Sequence, residues 1–197
     1  MQTRYSFTMN LKIKVLIGIL ALCCLFAYIV LVSKWNRELI PPTSVHSNTA
    51  AYESAKKEIE LSLLENRDSI LSAFKYPVLI YRYSQDYCSS CIVEDLSELN
   101  ILQNEVAKGK IFVLPAYDDD KMNRVALASQ LANFEYKNMP ASLLVLPKDN
   151  EGFKQRYFAL IDNKGNLGEI HFPQRGNTAA TKAYFQRVKG YFNSVRE

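Results

Sequence analysis

Apolar residues fall along the chain in three rhythms, and each predicts a different element. Residues 15–32 run for 18 positions without a charge, which at about 1.5 Å per residue is long enough to cross roughly 30 Å of hydrocarbon as a helix. Residues 50–74 place Ala55, Ile59, Leu63 and Ile70 on one helical face with charged side chains between them, a pattern that ends before Tyr76-Pro77. Beyond Pro77 the rhythm changes to short β-branched and aromatic runs alternating with amphipathic segments. Strands are predicted at 78–83, 110–117, 141–146, 157–161 and 167–172. Between them, helices are predicted over 92–108, with Leu96, Leu99, Leu102 and Val106 inward, and over 121–134, where Asp118, Asp119 and Asp120 suit a helix start. Asp162-Asn-Lys-Gly-Asn166 is a hairpin turn signal. A final amphipathic helix over 178–195 offers Ala183, Phe185, Val188 and Phe192 to a core. No repeat period or low-complexity tract is present.

With 197 residues, 48% apolar and 22% charged, the chain suits one α/β domain with short attachments and excludes a disordered, collagen-like or polytopic chain. Of its 24 basic residues, Arg4, Lys12 and Lys14 precede position 33 with no acid among them, which leaves 21 basic against 20 acidic side chains in residues 33–197. The body is neutral, so nucleic-acid binding, which needs a clustered basic footprint, loses its support. The positive flank places the amino terminus in the cytoplasm and the rest outside, with Tyr28 and Trp35 near the outer interface. A cleaved signal peptide would have a shorter apolar core and an Ala-x-Ala cut site, and Leu22 before Cys23 departs from a lipoprotein box. The organisation expected is a cytoplasmic tail at 1–14, a single-pass anchor at 15–33 in the cell membrane, a Pro41-Pro42 linker over 34–50, a leading helix at 51–74 and a domain at 75–197. That domain would lie on the extracytoplasmic, periplasmic side. Cys23 and Cys24 are read as small packing residues within the span.

The chemistry-bearing motif is Cys88-Ser-Ser-Cys91, set between a strand and a helix. A helix start presents free backbone N–H groups and the positive end of the macrodipole, so Cys88 there forms a thiolate readily. Cys91, one turn further in, is placed to resolve a mixed disulfide by attacking Cys88. A zinc site would need a second pair of ligands, but the remaining cysteines lie in the predicted span and His46 and His171 are isolated, so no metal or cofactor is expected. The two histidines read as surface groups. A structural disulfide remains an alternative, although a four-residue loop gains little from closure. No Ser-His-acid arrangement or phosphate loop is present.

From about Lys75 to Arg196 the sequence resembles the thioredoxin fold, and more closely the membrane-tethered, extracytoplasmic thioredoxin-like proteins of bacteria. That group includes the cytochrome c maturation and resurrection-of-reduction type oxidoreductases. The likeness rests on Tyr87-Cys-Ser-Ser-Cys91 after a strand and on Tyr157-Phe-Ala-Leu-Ile-Asp-Asn-Lys-Gly165, with residues 139–153 matching the group's insertion. It implies a central mixed sheet flanked by helices, Cys88 as nucleophile and Cys91 as resolving thiol; Tyr87, Ser89, Ser90 and Arg156 are expected to line the site. Partners would be cysteine-containing extracytoplasmic proteins or an upstream reductant. The chain departs from that pattern at three places. The group's cis-proline, six residues before the turn Asp, falls on Arg156, with Met139-Pro140 the other candidate. Ser89-Ser90 replaces the usual Gly-Pro or Pro-Pro, and Arg82 replaces a buried strand acid. Peroxiredoxins, which share the fold, resemble the chain at Arg156, their catalytic arginine standing at that offset. Cys91 would then be peroxidatic, although Ser84 and Cys88 occupy the positions of that family's proline and threonine. A binding module with a structural disulfide is the third reading.

Overall fold

A computed structural model of the chain describes residues 49–66, 69–70, 75–149 and 151–195. The predicted tail and anchor, His46 and nearly all of the linker lie outside the described residues. Among the described residues, no helix is long and apolar enough to cross a membrane.

The central strand β1, Val78–Ser84, is buried along all of its 7 residues, as expected of a strand covered on both faces. It pairs in parallel with β2, Ile111–Ala116, and antiparallel with β4, Tyr157–Ile161. The short edge strand β3, Glu135–Tyr136, joins β2, and β5, Leu167–His171, joins β4, giving the order β3-β2-β1-β4-β5. The β4–β5 turn closes as the sequence predicts: the Asp162 carboxylate accepts from the backbone N–H of Lys164 and of Asn166, both at 2.8 Å. Gly165 takes the left-handed conformation at φ 79°, which costs a glycine least.

Alternation along β1 sends Leu79, Tyr81 and Tyr83 to one face and Val78 and Ile80 to the other. The first face is covered by α2, Ser89–Glu105, through Ile92, Leu96, Leu99 and Leu102, and by α4, Thr178–Ser194, through Tyr184, Phe185, Val188 and Phe192. Phe158 stacks on Tyr81 with centroids 4.5 Å apart and meets Phe185 edge-on at 4.9 Å. The third helix, α3, Lys121–Gln130, contributes Leu127 to the same cluster, its only buried residue. The opposite face is covered by α1, Thr49–Glu65, through Ile59 and Leu63, and by Met139, Leu144 and Leu146. Two parallel crossovers followed by an antiparallel hairpin and a closing helix make this mixed sheet a thioredoxin-like fold.

The leading helix packs the face expected of it, Ala55, Ile59 and Leu63, into the core, and Tyr52 donates to the Ile170 carbonyl at 3.3 Å. Several expectations are corrected. The helix expected over 121–134 stops at Gln130, and Glu135–Tyr136 adds an edge strand. Residues 141–146 form no strand although Leu144 is buried. Their backbone is held instead by Arg82, which is 0% exposed. Arg82 Nε and Nη2 donate to Leu144 O at 3.1 and 2.8 Å, and Nη2 also reaches Pro140 O at 3.0 Å. Its Nη1 donates to Leu114, Pro115 and Met139 carbonyls at 2.9, 3.2 and 2.8 Å. Burial lowers the Arg82 pKa to about 10, so the side chain stays charged at neutral pH. His171, read from sequence as a surface group, is stacked 5.1 Å from Tyr184 and bonded to Thr181 Oγ1 at 3.0 Å.

Candidate functional site

The loop from β1 to α2 is pinned on two sides before it reaches the cysteines. Gln85 exchanges side-chain bonds with Asp118, donating at 2.7 Å to its carboxylate and accepting at 3.0 Å from its backbone N–H. Asp86 takes Lys154 Nζ at 2.9 Å, and the Tyr87 N–H closes a turn on Ser84 O at 3.1 Å. Cys88 then caps α2: Cys91 and Ile92 donate to its carbonyl at 3.0 and 3.1 Å, and no side chain caps the helix. Cys88 is thus the N-cap residue, at the end of the helix where the first-turn N–H groups have no intrahelical partner.

Cys88 and Cys91 are both free thiols, the first exposed and the second 4% exposed. Cys88 is lowered to about 7 because the Cys91 thiol donates to its thiolate. The Ser90 hydroxyl, 3.0 Å from the sulfur, and the backbone N–H of Cys91 add to that effect. Cys91 moves the other way: burial and its bond to Cys88 push it up, against the pull of Arg156 and Arg175. An accessible thiol poised near neutrality over a buried, protonated one separates an attacking sulfur from a reserve sulfur. One consequence is measurable in the reduced protein. Alkylation of Cys88 by iodoacetamide should follow thiolate population, with a midpoint near pH 7, a tenfold fall per unit below it and a plateau above. Alkylation of Cys91 should rise only at higher pH. A Cys88 midpoint near 8.5, the ordinary thiol value, would remove the basis for this asymmetry.

Beneath the pair lies a charged cluster that sequence reasoning saw only in part. Arg156 is 2% exposed and donates through Nε to the Asp95 carboxylate, which also accepts from Tyr81 Oη at 2.6 Å. Its guanidinium lies 4.6 Å from the centroid of the Tyr87 ring, while Nη1 is buried without a partner. Arg156, expected from its offset to the Asp162 turn to line the site, is buried on the cysteine side of the sheet, where its charge draws the Cys91 thiol's pKa down. Met139–Pro140 is not the cis bond of the described residues, which is Tyr76–Pro77, and Met139 belongs to the cluster on the opposite face. Burial pushes the Asp95 carboxyl up, and the bonds from Arg156 and Tyr81 pull it back toward the ionised form. Asp95 and Tyr81 were not singled out from sequence. A signal existed, because Asp95 interrupts the apolar stripe of Ile92, Leu96, Leu99 and Leu102 and so had to point inward. Ser89 and Ser90 are exposed in the first turn beside Cys88. Among the described residues, no group of three His, Cys, Asp or Glu side chains is arranged to hold a metal ion.

No protein-family model and no curated protein matches the chain. Among solved structures, a cysteine-to-serine variant of PrxQ from Xylella fastidiosa is similar at 17% identity over 61% of this chain and 80% of that one, with a TM-score of 0.46. Peroxiredoxin Q of Xanthomonas campestris gives 19%, 61%, 83% and 0.43. The mitochondrial 2-Cys peroxiredoxin of Plasmodium falciparum gives 12%, 60%, 79% and 0.41.

Proposed function

We propose that this chain is a thiol–disulfide oxidoreductase in which Cys88 attacks a partner disulfide and Cys91 releases the product. The observation that carries this reading is the unequal pair: Cys88 exposed at a helix start with its pKa lowered to about 7, and Cys91 buried one turn further in with its pKa raised. The Cys88 thiolate attacks a partner disulfide, expelling one partner thiolate and forming a mixed disulfide. The Cys91 thiolate then attacks Cys88 Sγ, expelling the second partner sulfur. The partner gains two electrons and the pair becomes a disulfide; the reverse sequence oxidises a dithiol. The apolar span at 15–32 supports a single-pass anchor with the domain outside the cytoplasm, acting on cysteine-containing proteins there or serving an upstream reductant.

Cys91→Ser should trap a covalent adduct through Cys88, seen as a reducible band of higher mass, whereas Cys88→Ser should trap none. A thiol peroxidase built on Cys91 is the second reading, favoured by the unpartnered Nη1 of Arg156 on the cysteine side of the sheet. It reverses the outcome: Cys88→Ser would form a sulfenic acid at Cys91 when hydrogen peroxide is added, and Cys91→Ser would trap no partner.

A further inference from the structure

Asp95 stands one helical turn below Cys91 and is itself buried. Its hydrogen bonds go not to the sulfur but to Arg156 Nε and Tyr81 Oη. The guanidinium is thereby fixed from one side, stacked on Tyr87 from another, and left with one buried donor free. We propose that Asp95 is a positioning residue for the release step, holding Arg156 so that Nη1 can receive the Cys91 thiolate while its own charge limits how strongly that thiolate is stabilised.

The balance of the two roles follows from charge. A lone buried guanidinium near a sulfur favours the thiolate, whereas a guanidinium paired with a carboxylate presents only a dipole. With the pair intact, Cys91 remains protonated in the resting protein and Cys88 keeps the donor on which its own ionisation depends. When a mixed disulfide forms, Cys88 no longer accepts that proton. Cys91 then loses it to solvent, its thiolate attacks Cys88 Sγ, and the departing partner thiolate takes up a proton, so atoms and electrons balance without another reactant. The other groups facing the cluster are Arg175, which draws the Cys91 pKa down, Glu94, which raises that of Asp95, and His171, whose own pKa Arg156 helps to lower.

The role of Asp95 in release rests on the oxidoreductase reading, but its electrostatic core can be measured without a partner. In the full chain carrying Cys88→Ser, the pH dependence of Cys91 alkylation is followed peptide by peptide, which keeps Cys23 and Cys24 apart. Adding Asp95→Asn should move the Cys91 midpoint down by about one unit, a tenfold gain in thiolate fraction below the midpoint, and Asp95→Glu should return it toward the parent. Arg156→Met with Asp95→Leu replaces the pair by apolar side chains, a change a fold tolerates better than a lone buried charge. It should leave the midpoint above the parent's, and it serves if Asp95→Asn does not fold. A midpoint that stays put or rises in Asp95→Asn, or does not rise in the apolar double variant, overturns the proposal. Absence of a trapped adduct in Cys91→Ser, with the midpoint shifts intact, would instead remove the oxidoreductase reading and leave the electrostatic assignment standing.

Discussion

Arg82→Met should lower the thermal midpoint by roughly 10 °C or more, the equivalent of about 3–5 kcal/mol in a chain of this size. The substitution keeps much of the aliphatic volume and removes six hydrogen bonds to five carbonyls. Each buried acceptor left without a donor costs on the order of 1–3 kcal/mol, partly offset because the charge no longer has to be buried. Arg82→Lys should recover little, since one ammonium cannot span acceptors that a planar fork reaches from three nitrogens. Circular dichroism melts of the full chain test this, and a shift below about 2 °C would mean that residues 139–146 are held by apolar contacts alone.

Arg156→Met leaves the Asp95 carboxylate buried with only the Tyr81 hydroxyl against it, a loss of about 3–5 kcal/mol at neutral pH. Its pH dependence identifies the cause. Burial already pushes Asp95 above its unfolded value, and without the cation it should rise further. A carboxyl whose folded pKa exceeds its unfolded value of about 3.9 binds more protons in the native state, so stability falls as pH rises from about 4 toward that folded value. The variant should therefore lie nearest the parent at pH 4 and furthest from it at pH 7. Arg156→Met with Asp95→Leu should recover most of the deficit at pH 7. A deficit equal at both pH values would point to lost packing instead.

These two arginines also mark the limit of what was legible in the sequence. The strands at β1, β2, β4 and β5, the long helices and the inward positions Leu96, Leu99, Leu102, Phe185, Val188 and Phe192 were legible because burial imprints periodicity on composition. The Cys88-Ser-Ser-Cys91 motif was legible because a strand-to-helix junction has a local signature. Residues 141–146 were not, because an apolar run reports burial without reporting what satisfies its carbonyls. Their partner here is a guanidinium on a strand some 60 residues earlier. Asp95 was missed for a related reason. A single carboxylate in an apolar stripe reads as an interruption until its partners are brought to it, Tyr81 from β1 and Arg156 from the residue just before β4. Arg156 could be placed by counting back from the Asp162 turn, but its burial could not.

The helix α3 rests on the sheet through Leu127 alone, holds its start with the Asp120 carboxylate accepting from Asn123 N–H at 2.8 Å, and turns Met122 and Val125 to solvent. So slight an anchorage ranks this helix among the first units of the domain to open, and its amide protons should exchange far sooner than those of β1 or β4. Because Asp118 at its approach also clasps Gln85, each such opening releases one of the two pins on the Cys88 loop. The turn that presents the sulfur is therefore tied to a lightly anchored helix, while the strand beneath it, β1, is buried along its whole length.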